Sequence, residues 1–235
     1  MDNQDFLKVV SCSFRKFLET GSRSNEKLKI LHGKIAEDLK KRLGGEYDVH
    51  SLGIGNGQED NIEGRYIDKK VDITILKNRK VIAGIGVKFV MQNYSQNSNN
   101  YFENMLGETA NIRCANTPYF QIFIIPDKVP YYDNNGKLKK WETFSEHNSQ
   151  KYLTLSKDNT ETSIHTPNKT LLFVIHLPDI KCSVDDKEEY VRYYSDLGSL
   201  RVREAACSYG DFEDAVIFND YELFIQKVVH RILSI

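Results

Sequence analysis

Two ionisable residues occupy positions where the strand pattern of the sequence predicts burial. Asp72 interrupts the β-branched run 71–76, and Lys88 lies near the end of the apolar run 81–90. An unpaired charge in a buried strand costs several kcal/mol, so each residue needs a partner or a metal ion. Two explanations are open. One is an Asp72–Lys88 ion pair at the end of the sheet. The other is a site in which a carboxylate holds Mg²⁺ while the lysine activates a water molecule beside a phosphate.

The elements that would position these residues follow from hydrophobic periodicity. Runs 71–76 and 81–90 flank a polar turn and predict a β-hairpin. A helix is predicted between this hairpin and the next strand, which favours an α/β fold, bordering on α+β, with a mixed sheet and helices on both faces. The other predicted elements are helices at 5–19, 28–43, about 100–114 and 221–233, and strands at 47–52, 119–125 and 171–177.

This order of acid, turn and lysine resembles the PD-(D/E)XK nuclease superfamily and, within it, the type II restriction endonucleases. Asp72 matches the first acid of the family motif, Lys88 matches its lysine, and residues 64–74 are similar to the usual entry to the first strand. The resemblance implies a restriction-endonuclease-like fold, which we expect to form one nuclease domain over residues 1–235. Its core would comprise residues 28–125 and 171–177, and the polar, irregular region 127–169 would be an insertion for DNA recognition.

One position departs from the family motif, because Gly86 stands where the second acid is expected. Three explanations are open. The acid has migrated to the following helix, where Glu103 and Glu108 are candidates; or Gly86 replaces a glutamate of the active protein; or the chain keeps a nuclease-like core without catalysis. The resemblance also implies an accessory acid on the helix before the hairpin, for which Glu37 is the candidate.

The resemblance implies a catalytic role for each matched residue. Asp72, the backbone of Val87 and a second acid (Glu103, Glu108 or Glu37) would hold Mg²⁺, for which Mn²⁺ can substitute, and Lys88 would lie against the attacking water. The implied activity is hydrolysis of phosphodiester bonds in double-stranded DNA at a specific sequence. Alternatives are a structure-specific repair nuclease and a non-catalytic DNA-binding or interaction protein. Palindromic sites favour a homodimer, and a cognate DNA methyltransferase would protect the host.

The segment 92–101 is rich in asparagine and predicts a polar loop directly after the lysine. Asparagine and glutamine amides can pair bidentately with adenine edges, and tyrosines can stack on bases or contact phosphates. The candidate DNA-binding residues, in this segment and near it, are Gln92, Asn93, Tyr94, Gln96, Asn97, Asn100, Asn104, Lys70 and Arg113.

Composition limits the other possibilities. The 235 residues contain 32 basic and 33 acidic side chains, a net charge of −1, so contact with DNA must depend on local basic clusters. No apolar run approaches the ~18 residues of a spanning helix, and the N-terminus lacks the basic segment of a signal peptide. The four cysteines form no CxxC pair. We therefore expect a cytoplasmic protein with reduced thiols and no membrane partner.

Overall fold

A computed structural model describes residues 1–55 and 57–235. Within these ranges the chain forms six helices and eleven strands. Their bounds are α1 Asn3–Thr20, α2 Glu26–Leu43, β1 Tyr47–Ser51, β2 Asn61–Ile62, β3 Lys69–Lys70, β4 Ile73–Lys77, β5 Lys80–Phe89, α3 Tyr94–Arg113, β6 Tyr119–Pro126, β7 Lys128–Tyr132, β8 Leu138–Thr143, α4 Glu146–Ser156, β9 Lys169–His176, α5 Lys187–Asp196, β10 Arg203–Glu204, β11 Val216–Phe218 and α6 Tyr221–Leu233.

The main sheet is mixed, in the order β1-β4-β5-β6-β9-β10, and β11 pairs with another part of β9. β4 and β5 form the antiparallel hairpin that the sequence predicts. β5, β6 and β9 then run parallel, and helices α3 and α4 lie in the connections between them. A parallel connection needs such a crossover, whereas a hairpin needs only a tight turn.

Helices cover both faces of this sheet, as the sequence predicts. Along β6, Phe120 and Ile122 belong to the core layer that also contains buried residues of α1, α2, α5 and α6. Phe123 and Ile125 point the other way and share a second layer with residues of α3 and α4. This alternation is the period-2 pattern of a strand buried on both sides. Among the described residues, no helix has the length and apolarity to span a membrane.

Two segments differ from the sequence-based expectation. Helix α3 begins at Tyr94 and not near residue 100, so most of the asparagine-rich segment is helical and is not a loop. Tyr94 and Ser98 are buried on the inner side of this helix, and this packing outweighs the weak helix propensity of asparagine. The region 127–169, expected to be irregular, contains the hairpin β7–β8 and helix α4.

Candidate functional site

Asp72 lies one residue before β4, and is therefore at the end of the hairpin strand and not within it. The pairing of Ile73 with Ile85 places Asp72 opposite Gly86. Oδ2 of Asp72 accepts a hydrogen bond of 2.7 Å from the backbone N–H of Val87. Lys88 is exposed and lies two residues beyond Gly86, so it projects on the same side of β5. In the described part of the chain, no ion pair within 4.0 Å joins Asp72 to Lys88.

A second, shorter hairpin brings another acid to Asp72. In β2–β3, Asn61 pairs with Lys70, and the N–H of Val71 donates to the carbonyl of Asp60 at 3.1 Å. Extending this antiparallel register by one position places Glu59 opposite Asp72. Asp72 therefore lies between two hairpins, with Gly86 across from it on one side and Glu59 across from it on the other.

His32 of α2 completes this group of side chains. Its Nδ1 lies 4.0 Å from Oδ1 of Asp72, and the ring is almost completely buried. One ligand atom from each of His32, Glu59 and Asp72 lies within 4.8 Å of the other two. Burial lowers the pKa of the His32 imidazole, although the carboxylate of Asp72 opposes this shift. A neutral imidazole beside two carboxylates is a set of donors suited to a divalent cation.

Lysines balance the acids around this group. Burial raises the pKa of Glu59, as does the nearby charge of Asp72, while Lys70 and Lys88 act in the opposite direction. Nζ of Lys70 lies 3.9 Å from the Glu59 carboxylate. Burial likewise raises the pKa of Glu108, and this shift is opposed by Lys69 and Lys88. Burial thus opposes ionisation of these carboxylates, and nearby positive charge favours it, as a bound cation would.

The space beside Gly86 is already occupied. The parallel register of β5 and β6 places Gly86 next to Gln121. A Cβ at position 86 would lie 2.6 Å from Oε1 of Gln121 and would also overlap the hydroxyl of Tyr119. Both side chains are almost fully buried, so a larger residue at position 86 requires them to move. A glutamate at position 86 would therefore be crowded by these two side chains.

An open cleft of 510 Å³ adjoins the site on the side of α3. Its lining includes Lys69, Lys88, Glu103, Glu108 and Gln121. Lys88 and both candidate acids of α3 thus border one cavity, and Glu103 is the more exposed of the two acids. Neither α3 acid belongs to the three-residue group that lies within metal-binding distance.

Glu37, the candidate accessory acid, is not part of the site. It is exposed on α2, and its carboxylate lies 2.7 Å from Nζ of Lys34. His32 on the same helix is the side chain that faces Asp72. These two positions are five residues apart, so they project from different sides of the helix.

Among the described residues, five of the candidate DNA-binding residues have contacts within the chain. Lys70 pairs with Glu59, Gln96 accepts a hydrogen bond from Nδ2 of Asn93, and the other three are Tyr94, Asn93 and Arg113. Tyr94 is buried against Phe144. Asn93 exchanges hydrogen bonds with the backbone of Tyr132. Arg113 donates to backbone carbonyls of the segment 160–166. Gln96 and Lys70 are exposed, and the remaining candidates are exposed or partly exposed: Gln92, Asn97, Asn100 and Asn104.

Sequence reasoning missed Glu59 and His32. Glu59 lies at the end of a glycine-rich segment that reads as a loop, and the two-residue strands that follow give no periodic pattern. His32 lies next to Leu31 in a buried helix face, where a histidine resembles ordinary core. One signal was available in the sequence. Glu59 precedes the segment 61–70 by two residues, and Asp72 follows it by two, so a hairpin formed by this segment places the two acids opposite each other.

Comparisons with known proteins provide no relative for this chain. No family model matches it, and neither curated proteins nor solved structures give a match.

Proposed function

We propose that this chain is a metal-dependent endonuclease of the type II restriction class, which hydrolyses phosphodiester bonds of double-stranded DNA. The observation that carries the proposal is the position of Asp72 between Glu59 and the β5 strand that presents Lys88. Two carboxylates and a lysine at one sheet end are the groups that phosphodiester hydrolysis with a metal requires. The same arrangement supplies a second acid although position 86 is glycine.

The donor set at this site fits a divalent cation. Oxygen atoms of Asp72 and Glu59 lie near each other at the end of two hairpins, and nitrogen atoms of His32 face them from a buried helix. A cation held by these residues would polarise the scissile phosphate and lower the pKa of a water molecule. The resemblance to restriction enzymes implies Mg²⁺, with Mn²⁺ as a substitute.

The protein's own side chains orient the reacting groups. The N–H of Val87 fixes one oxygen of Asp72, which leaves the other oxygen directed towards His32. The exposed ammonium of Lys88 offsets the charge of a phosphate and orients water on the open side of the cleft. No histidine or cysteine nucleophile is needed in this chemistry.

Exposed side chains at the tip of β2–β3 would contact the duplex. Tyr66 and Ile67 are 81% and 63% exposed, and Arg65 and Lys70 flank them. Asn111 holds this tip through hydrogen bonds to the backbone of Tyr66 and Ile67. A rigid, basic tip with an exposed aromatic ring suits contact with phosphates and base edges.

Further DNA contacts would come from the region 127–169, the proposed recognition insertion. Its hairpin β7–β8 bears Lys137, Lys139 and Lys140 on the turn and second strand. As a restriction enzyme, the chain would act as a homodimer in the cytoplasm, together with a cognate DNA methyltransferase.

Cleavage of unmethylated DNA tests this proposal. With Mg²⁺ or Mn²⁺ we expect supercoiled DNA to be cut at discrete sites, and chelation of the metal should stop the reaction. Asp72→Ala should abolish cleavage and retain DNA binding, because it removes a carboxylate from the site and a negative charge near phosphate. Glu37→Ala is the matched control, since this acid is exposed and paired with Lys34. Full cleavage by Asp72→Ala, or none by the unaltered chain, would contradict the proposal.

A further inference from the structure

Both ring nitrogens of His32 lie in the protein interior without a hydrogen-bond partner among the described residues. The side chain is 1% exposed, so bulk water does not replace the absent partner. Buried polar groups in folded proteins are nearly always hydrogen-bonded, and an unpaired one calls for an explanation such as an ion. The N–H and the lone-pair nitrogen of this imidazole therefore both lack a partner in the described chain.

The position of the ring indicates what the missing partner of its lone-pair nitrogen is. Nδ1 of His32 lies 4.0 Å from the Asp72 carboxylate, which is too far for a hydrogen bond. By contrast, Nδ1 of His50 lies 2.6 Å from Asp60, and Nδ1 of His176 lies 2.8 Å from Asp127. A gap too wide for a hydrogen bond leaves room for a cation, which the imidazole and the carboxylate would hold between them.

Two glycines near His32 allow helix α2 and the turn after β1 to pack closely. Gly33, the next residue of α2, has no side chain, and a Cβ there would lie 3.0 Å from the carbonyl oxygen of Gly53. Gly53 has a φ of +90° and lies against the backbone of Lys29. These two glycines allow α2 to contact the turn after β1, and His32 consequently reaches the end of β4.

We propose that His32 is a ligand of the metal held by Glu59 and Asp72, and that it makes the site select a first-row transition dication over Mg²⁺. Mg²⁺ prefers oxygen ligands, whereas imidazole favours transition metals, which follow the order Mn²⁺ < Fe²⁺ < Co²⁺. This inference uses the site of the proposed nuclease and refines the identity of its metal. It departs from the Mg²⁺ that the resemblance to restriction enzymes implies.

Binding titrations with Mn²⁺, Co²⁺ and Mg²⁺ test the selectivity. We expect the unaltered chain to bind Mn²⁺ about tenfold more tightly than Mg²⁺, and Co²⁺ more tightly still. His32→Asn should remove most of this preference and change the Mg²⁺ affinity by less than about threefold. His50→Asn is the matched control, because His50 already pairs with Asp60. Equal Mn²⁺ affinity in the unaltered chain and in His32→Asn would overturn the inference.

A spectroscopic measurement on the unaltered chain removes any dependence on how a variant folds. Pulsed electron paramagnetic resonance of the Mn²⁺-loaded protein should detect hyperfine coupling to an imidazole nitrogen. Absence of that coupling, or the absence of metal binding altogether, would overturn the inference.

The outcomes for His32 and for the nuclease proposal are distinguishable. Nitrogen coupling without DNA cleavage would support His32 as a ligand and contradict the nuclease. Cleavage with Mg²⁺ in the absence of nitrogen coupling would support the nuclease and contradict His32 as a ligand.

Discussion

Glu59 and Asp72 lie opposite each other at the open end of the β2–β3 hairpin, and a carboxylate oxygen of each lies within 4.8 Å of the other. The two acids are close to each other in the folded chain because residues 61–70 form a short antiparallel hairpin with two-residue strands. Lys70 lies 3.9 Å from Glu59 and partly offsets the repulsion between the two acids. Two acids held this close are costly without positive charge, and a bound cation would relieve that cost.

Removing either carboxylate should therefore weaken metal binding. We expect Glu59→Gln and Asp72→Asn each to lower Mn²⁺ affinity at least about tenfold, since each removes a charged ligand and leaves a neutral amide of similar size. Isothermal titration calorimetry measures the effect. Glu37→Gln should leave the affinity unchanged, because Glu37 is exposed and paired elsewhere. Loss of affinity in Glu37→Gln but not in Glu59→Gln would contradict the assignment of the second acid.

The β4–β5 hairpin and its acid and lysine were predictable because their signals are local. Alternating apolar residues, a polar turn and two charges are all present within 18 positions of the sequence, from Val71 to Lys88. The mixed sheet and its helices on both faces also follow from periodicity and from the helix between strands, whereas the order of the strands in the sheet was not predicted. These features depend on patterns that a short window of sequence contains.

The rest of the site depends on contacts between distant segments. Gly33, next to His32, packs closely on Gly53, and no pattern along α2 reveals that contact. Tyr94 was expected in a DNA-binding loop, but it packs beneath Phe144, and burial raises its pKa to about 12. Tertiary packing, which outweighs local propensity, decides both cases.

The salt dependence of DNA binding should identify lysines that contact phosphate. Lys70 is 63% exposed at the edge of the site, so Lys70→Ala should weaken binding to any duplex and reduce the slope of log affinity against log salt by about one. Fluorescence anisotropy at several salt concentrations measures this slope. Lys8→Ala on α1 is the control, because Lys8 is also exposed and paired with an acid. An unchanged slope for Lys70→Ala would exclude a phosphate contact there.

The tip of β2–β3 should lose its rigidity without Asn111. The amide of Asn111 accepts from the N–H of Tyr66 at 2.9 Å and donates to the carbonyl of Ile67 at 2.7 Å. We expect Asn111→Ala to cost about 1–3 kcal/mol and to speed hydrogen exchange of the Tyr66 and Ile67 amides. Exchange measured by mass spectrometry checks this, with Asn104→Ala as the exposed control on the same helix. Unaltered protection in Asn111→Ala would contradict the prediction.

Stability at alkaline pH should depend on Lys151. Its ammonium contacts the rings of Tyr94, Phe102 and Tyr152, and burial lowers its pKa to about 8 from 10.5. From about pH 8 to about pH 9 the folded state releases this proton while the unfolded state retains it, so the free energy of unfolding rises. Nearer pH 10 the buried tyrosines, whose pKa values burial raises, oppose this rise because the unfolded state ionises them first. Urea unfolding should show this rise in the unaltered chain and a smaller one in Lys151→Met. Identical pH profiles would contradict the shifted pKa.

Substitutions at Gly86 distinguish between a lost acid and a relocated one. An added Cβ would overlap Tyr119 and lie 2.6 Å from Gln121, so Gly86→Ala should lower the free energy of unfolding by about 1–3 kcal/mol. Tyr119→Phe should recover part of this loss in the double variant, because it removes the overlapping hydroxyl.

Gly86→Glu should be destabilised in the same way and should bind Mn²⁺ no more tightly than the unaltered chain, since Glu59 already supplies the second carboxylate. A large gain in metal affinity and cleavage by Gly86→Glu would instead show that position 86 had lost a natural acid.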